Sequence, residues 1–161
     1  MALAKTVSFS RMALALFAAL LLAACASTTP DQLPVTQSAA APGSPQDFTV
    51  NVGDRVFFET DSSTLTAEGQ LTLDRQAAWL NQYPQYSIQV EGHADERGTR
   101  EYNLALGARR AAATRDYLTA RGITPNRLGT ISYGKERPVA TCNDITCWSQ
   151  NRRAVTVLQG S

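Results

Sequence analysis

The stretch Val90-Glu91-Gly92-His93-Ala94-Asp95-Glu96-Arg97-Gly98-Thr99-Arg100-Glu101-Tyr102-Asn103-Leu104-Ala105-Leu106-Gly107-Ala108-Arg109-Arg110-Ala111 holds the residues whose types and spacing say most about chemistry. Asp95 falls just past an alternating apolar run, where a strand would give way to a loop. Asn103 and Arg110 follow, seven residues apart, so two helical turns place them on one face. If that helix folds back on its own strand, the face approaches Asp95, and a carboxylate and a guanidinium line one pocket. Such a pair suits a zwitterion. The carboxylate accepts from an ammonium group, and the guanidinium holds a carboxylate by two parallel hydrogen bonds. The same spacing fits an internal Asp95–Arg110 ion pair that merely buttresses the helix, and charge spacing alone favours that second reading.

Other chemistries are poorly served. His93 and Asp95 form a His-x-Asp pair, but His93 is the single histidine of the chain. Zinc would want two or three further nitrogen or sulfur ligands. His93 is therefore expected to be packed against the sheet and hydrogen-bonded. A nucleophilic hydrolase lacks its context here, because the Gly-x-Ser-x-Gly elbow is missing. The net charge of +1 leaves no basic surplus to argue for a nucleic-acid partner.

Positioning these residues falls to alternating strands and helices. Residues 55–58 read as a short strand. Thr66 caps a helix through Leu71, Leu73, Ala77, Ala78 and Leu80 that stops before Pro84. Residues 86–91 alternate as a strand, and a turn-rich segment, 92–98, follows. A long helix is expected over 99–121, with Tyr102, Leu106, Ala113 and Tyr117 at helical spacing and Gly122 at its end. Residues 128–133 and 153–158 complete four strands. The pattern predicts an α/β sandwich with helices laid on a sheet.

The N-terminal part reads as processing and tether. Lys5 and Arg11 precede an apolar run, 12–24, that is shorter than the roughly 20 residues a membrane-spanning helix needs. It ends in Leu22-Ala23-Ala24-Cys25, which resembles a bacterial lipobox. Residues 1–24 are thus expected to be a signal peptide, and Cys25 the lipidated first residue of the mature chain. Ala26, rather than the Asp common in lipoproteins of the inner membrane, favours the outer membrane. Residues 25–50, rich in Ser, Thr, Ala, Gln and Pro, read as a disordered tether, and 51–161 as the folded domain. Of three cysteines, Cys142 and Cys147 remain. In an oxidising compartment they are expected to form a disulfide across a polar, turn-like segment.

The run EGHADERGTREYNLALGARRA is similar to the signature of the OmpA-like C-terminal domain family, and most of all to its lipid-anchored, Tol-associated branch. Val56-Phe57-Phe58 with Leu65, Ser132-Tyr133-Gly134-Lys135-Glu136-Arg137-Pro138 and Asn151-Arg152-Arg153-Ala154-Val155 extend the resemblance over about residues 52–158. It implies a two-layer sandwich, a mixed four-stranded sheet with two main helices in βαβαββ order. It implies a non-enzymatic, cofactor-free binder of peptidoglycan that grips the meso-diaminopimelate of the stem peptide. Asp95 would take the amine and Arg110 the carboxylate. Asn103 would support the pocket, Leu106 would lie beside the ligand's side chain, and the backbone at Asp61 would help line the site. Arg152 and Arg153 would be structural or rim residues. Implied partners are TolB and other Tol proteins, in a role that links outer membrane to wall and aids constriction at division. A peptidoglycan-active hydrolase and a purely protein-docking module are the alternatives. Two features depart from the family pattern. Glu59-Thr60-Asp61-Ser62-Ser63 replaces the more usual loop after the first strand, and many members lack the Cys142–Cys147 pair.

Overall fold

Thr66 starts the first long helix. Its backbone is extended, and its side-chain oxygen accepts from the Gly69 N–H, capping α1, Ala67–Gln82. Thr99 caps α2, Arg100–Ala120, by accepting from the Tyr102 N–H. Gly122, at φ 94°, follows that helix in the left-handed conformation that penalises a Cβ. This is a computed structural model, and it describes residues 40–160. The expected signal peptide 1–24, Cys25 and residues 26–39 of the expected tether lie outside the described residues.

Four strands form one sheet: β1 Arg55–Phe57, β2 Ser87–His93, β3 Leu128–Gly134 and β4 Arg153–Gln159. Their order is β1-β4-β2-β3. β4 runs antiparallel to both β1 and β2, while β2 and β3, joined through α2, are parallel. This is the mixed sheet of the expected sandwich. Val56, Ile88, Val90 and Ala154 meet Leu73, Leu80 and Leu118 of the two helices in the core. On the other side of β2, Gln89 and Glu91 are half-exposed, as in a sheet with one solvated face. Among the described residues, no helix is long and apolar enough to cross a membrane.

α2 approaches β2 through glycines. A Cβ at Gly92 would collide with the Gly107 carbonyl, and one at Gly107 would meet the Gly92 oxygen at 2.8 Å. Main chain therefore touches main chain, and the first turns of α2 sit over the end of β2. The buried stripe of α2 is Asn103, Leu106, Gly107, Arg110, Ala111, Thr114 and Leu118. Of the expected stripe Tyr102, Leu106, Ala113 and Tyr117, Leu106 is buried and Tyr117 packs half-buried against the core, while Tyr102 is exposed. Asn103, Arg110 and Thr114 are buried on the sheet-facing side as well, so apolar spacing alone gives only part of the buried face.

Two local expectations need correction. Residues 142–147 are not simply a turn: their second half opens a short helix, α3, Ile145–Asn151. Asp144 caps it by accepting from the Thr146 N–H. At seven residues α3 is too short to show a helical period. The expected tether also ends sooner than residue 50. Ser44 caps a helical turn, Pro45–Asp47, that continues as a π-helical turn, Phe48–Gly53. Phe48 is buried against Trp79, with ring centroids 4.9 Å apart. Asp47 accepts from Trp79 Nε1 at 2.9 Å, and the Tyr86 hydroxyl donates to the Gly43 carbonyl at 3.0 Å. One aromatic anchor and one cap order a segment whose average composition reads as linker.

Candidate functional site

Two loops and the first turns of α2 enclose a cleft of about 290 Å³, lined by Thr60, Asp61, Asp95, Arg97, Gly98, Tyr102, Asn103 and Leu106. The loop after β1 supplies one wall. Asp61 there has φ 57°, a left-handed backbone that Asp tolerates better than most residues. Its carboxylate accepts from the Tyr102 hydroxyl. The loop after β2 supplies the facing wall. Asn103 Nδ2 ties that loop to α2 by donating to the carbonyls of Arg97 at 2.6 Å and Thr99 at 3.1 Å. Lys135 Nζ reaches in from beyond β3 to the carbonyls of Glu96 and Gly98.

Four of the expected residues, Asp61, Asp95, Asn103 and Leu106, therefore share one cleft. Arg110 stands behind it. Its side chain is fully buried and donates to three main-chain carbonyls: Ser62 at 2.8 Å, His93 at 2.8 Å and Glu59 at 3.2 Å. It thus joins the loop after β1 to the end of β2. The guanidinium lies 5.2 Å from the Phe58 ring centre and makes no ion pair among the described residues. The expected internal Asp95–Arg110 pair does not form. Asp95 pairs instead with Arg97 at 2.7 Å and with Arg152 at 3.5 Å.

Electrostatics follow from this arrangement. Burial pushes the Asp95 carboxyl up, but hydrogen bonds from the Arg97 side chain and main chain, the Arg97 charge and Arg152 outweigh it. The carboxyl is held below its ordinary value and is ionised at neutral pH. Burial, then the neighbouring Arg152 charge, pushes Arg110 down to about 10, which leaves it protonated. Two carboxylates, Asp95 and Asp61, thus sit with three guanidiniums, those of Arg97, Arg110 and Arg152, which leaves a surplus of one positive charge. An amine beside a carboxylate complements such a site, one charge for Asp95 and the other for the arginine surplus.

His93 is buried as expected, near the Tyr133 ring with centroids 5.6 Å apart, but neither ring nitrogen is hydrogen-bonded. Burial first, then the charges of Arg153 and Arg137, lower it to about 4, so the ring is neutral. Arg152 belongs to the site, since Nε donates to the Phe58 carbonyl at 3.0 Å while Nη1 faces Asp95. Arg153 turns elsewhere, to the carbonyls of Asn151 and Arg137. The Cys142–Cys147 disulfide is formed, with Cα atoms 5.6 Å apart. Thr60, Arg97, Gly98 and Tyr102 are cleft residues that the sequence reasoning missed. The available signal for Arg97 was its place two residues after Asp95, where an Asx-type turn turns the two groups together.

The OmpA family model matches residues 57–152. The chain is 64% identical over 162 aligned residues to the peptidoglycan-associated lipoprotein of Rhizobium meliloti (strain 1021), covering 98% of this chain and 92% of that protein. It is 62% identical to the protein of the same name from Brucella melitensis biotype 1, with 98% and 96% covered. Among solved structures, the peptidoglycan-associated lipoprotein from Burkholderia pseudomallei superposes with a TM-score of 0.68 at 40% identity, covering 72% of this chain and 100% of that one. The C-terminal domain of Helicobacter pylori MotB superposes with a TM-score of 0.63 at 25% identity, covering 67% and 85%. A match through the cleft loops and both long helices, together with relatives similar along nearly their whole length, places this chain in the OmpA family.

Proposed function

We propose that this chain is an outer-membrane lipoprotein, anchored through Cys25, whose domain holds peptidoglycan non-covalently by the meso-diaminopimelate of its stem peptide. Asp95 receives the amine. Arg110, behind the cleft, supplies the charge that draws the neighbouring carboxylate. Asn103 fixes the loop that carries Asp95, Leu106 meets the ligand's methylenes, and the backbone at Asp61 closes the opposite wall. The chain works with TolB and other Tol proteins, keeping the envelope intact and helping the outer membrane to constrict at division. The observation that carries this reading is the ionised Asp95, which shares its cleft with Arg97, pairs with Arg97 and Arg152, and has the buried Arg110 charge behind it. The general acid of a glycoside- or peptide-cleaving enzyme needs a raised pKa, whereas that of Asp95 is lowered, which suits it poorly to that role. The printed names of the full-length relatives support both the lipid anchor and the wall as ligand.

A pull-down of the full chain on purified sacculi tests it. Charge-assisted hydrogen bonds contribute about 1.5–3 kcal/mol each, so Asp95→Asn should weaken retention roughly tenfold to a hundredfold. It also loses the ion pairs to Arg97 and Arg152, so its melting temperature should fall somewhat while the fold and its cooperative transition are kept. Arg110→Ala should lose binding too, but it also strips the donor from three carbonyls, so Asp95→Asn isolates the effect. Full retention of Asp95→Asn would contradict the assignment.

A further inference from the structure

Asp95 is a carboxylate whose acceptor positions are filled. Its two oxygens offer about four lone-pair sites. Oδ1 accepts from the Arg97 N–H at 3.2 Å and from Arg97 Nε at 3.0 Å. Oδ2 accepts from Arg97 Nη2 at 2.7 Å and faces Arg152 Nη1 at 3.5 Å. The main-chain N–H is fixed by the loop, and Arg152 is buried and tied to Phe58. Only the Arg97 side chain, 40% exposed, can leave for solvent. An ammonium group that reaches Asp95 finds this guanidinium in its place.

Arg97 is also clamped from its other side. Its guanidinium carbon lies 4.2 Å above the Trp148 ring, within cation–π range. Trp148 Nε1 in turn donates to Glu96 Oε1 at 3.0 Å, the residue next to both Asp95 and Arg97. Trp148 stands on α3, one residue beyond Cys147, whose disulfide to Cys142 pins the start of that helix. The ring is thus delivered to the cleft from a distant part of the chain, on a helix whose start the disulfide braces, and it is held there by its contacts with Arg97 and Glu96.

Resting on the reading that Asp95 takes the ligand's amine, we propose that Arg97 is an internal competitor for that site and the residue that sets its selectivity, with Trp148 as the positioning residue that holds Arg97 on Asp95. When an ammonium group displaces Arg97, the freed guanidinium stays at the cleft mouth, beside the carbon that bears the amine. A ligand with a carboxylate on that carbon gives Arg97 a new partner. A ligand with an amine alone leaves Arg97 unpaired and loses the exchange. The cleft therefore discriminates diaminopimelate from a plain terminal amine such as a lysine side chain: both must break the same ion pair, and only diaminopimelate gives Arg97 a replacement partner.

The test compares two soluble stem tripeptides, one ending in meso-diaminopimelate and one in lysine, titrated into the full chain in detergent. Arg97→Gln should tighten the lysine peptide about threefold, the scale of a half-exposed ion pair, and should narrow the gap between the two peptides. Trp148→Ala should shift the ratio the same way, Trp148→Phe should restore it, and Trp148→Ala should add nothing in the Arg97→Gln background. A purely structural Arg97 would instead weaken both peptides equally, and either that result or no gain for the lysine peptide overturns the proposal. Asp95→Asn separates the two readings. If it abolishes diaminopimelate binding while Arg97→Gln leaves the ratio unchanged, the competitor role alone falls. If Asp95→Asn binds normally, the amine assignment falls and the competitor role with it.

Discussion

At the scale of single residues, two buried groups make the domain sensitive to acid in different windows. His93 is neutral in the fold, lowered to about 4 from an ordinary value of 6.5 by burial and by Arg153 and Arg137. Glu91 Oε2, 3.6 Å from Nε2, does not offset this. Below pH 6.5 the unfolded chain takes up a proton that the folded chain refuses. Stability is therefore full above that pH and falls by about 3 kcal/mol at most as pH drops towards 4. Asp95, whose value is depressed, contributes stability that is present at higher pH and lost only as pH falls through its lowered value. Denaturant melts at pH 7 and 4.5 should show the histidine loss, and His93→Phe should flatten it. An unchanged slope in that variant would contradict the assignment. Asp95, Asn103 and Leu106 were legible in the sequence because one long motif carries them, and Asp61 only through the position of its loop after the first strand. Arg97 was not, since a charge beside a charge in a loop reads as solvated surface. Nor did spacing show that Arg110 serves three carbonyls, because helical periodicity gives a face but not a partner.

At the scale of elements, the Gly92–Gly107 contact sets how deeply α2 sits on β2, and so where Asn103 and Arg110 fall relative to Asp95. Gly92→Ala drives a Cβ into the Gly107 carbonyl, which cannot rotate away, and should cost about 3 kcal/mol or more. Gly107→Ala meets the Ser132 hydroxyl and the Gly92 oxygen but gains about 1 kcal/mol of helix propensity, so it should cost less. Equilibrium unfolding of both variants checks the order, and native stability in Gly92→Ala would contradict the close approach. Thr66 and Gly122 announced helix ends because capping is local chemistry. α3 stayed hidden because it is short and half polar. The ordered turn at Pro45–Asp47 stayed hidden because its anchors, Trp79 and Tyr86, lie more than thirty residues away. The buried face of α2 was legible in part, through Asn103, Leu106 and Arg110, while Thr114, a polar residue, gave no signal that it is buried.

For the whole molecule, a net charge of +1 conceals an uneven distribution, with Arg97, Arg110 and Arg152 gathered near Asp95 and Asp61. Two charge-assisted contacts and modest burial suit an affinity near micromolar once association costs are met. Many copies of the stem peptide, and a domain confined by its proposed lipid anchor to a thin layer, would turn such weak sites into firm attachment. The sandwich itself was legible because its strands and helices alternate with clear punctuation, and the match to OmpA-family structures covers those elements. The link between anchor and grip rests on the cleft. The most direct measurement is a crystal structure of the chain with a meso-diaminopimelate-containing muropeptide. The expected result puts the diaminopimelate amine on the Asp95 carboxylate, with its carboxylate turned towards Arg97 and the Arg110 side of the cleft. A peptide bound elsewhere, with the Asp95–Arg97 pair intact, would contradict it.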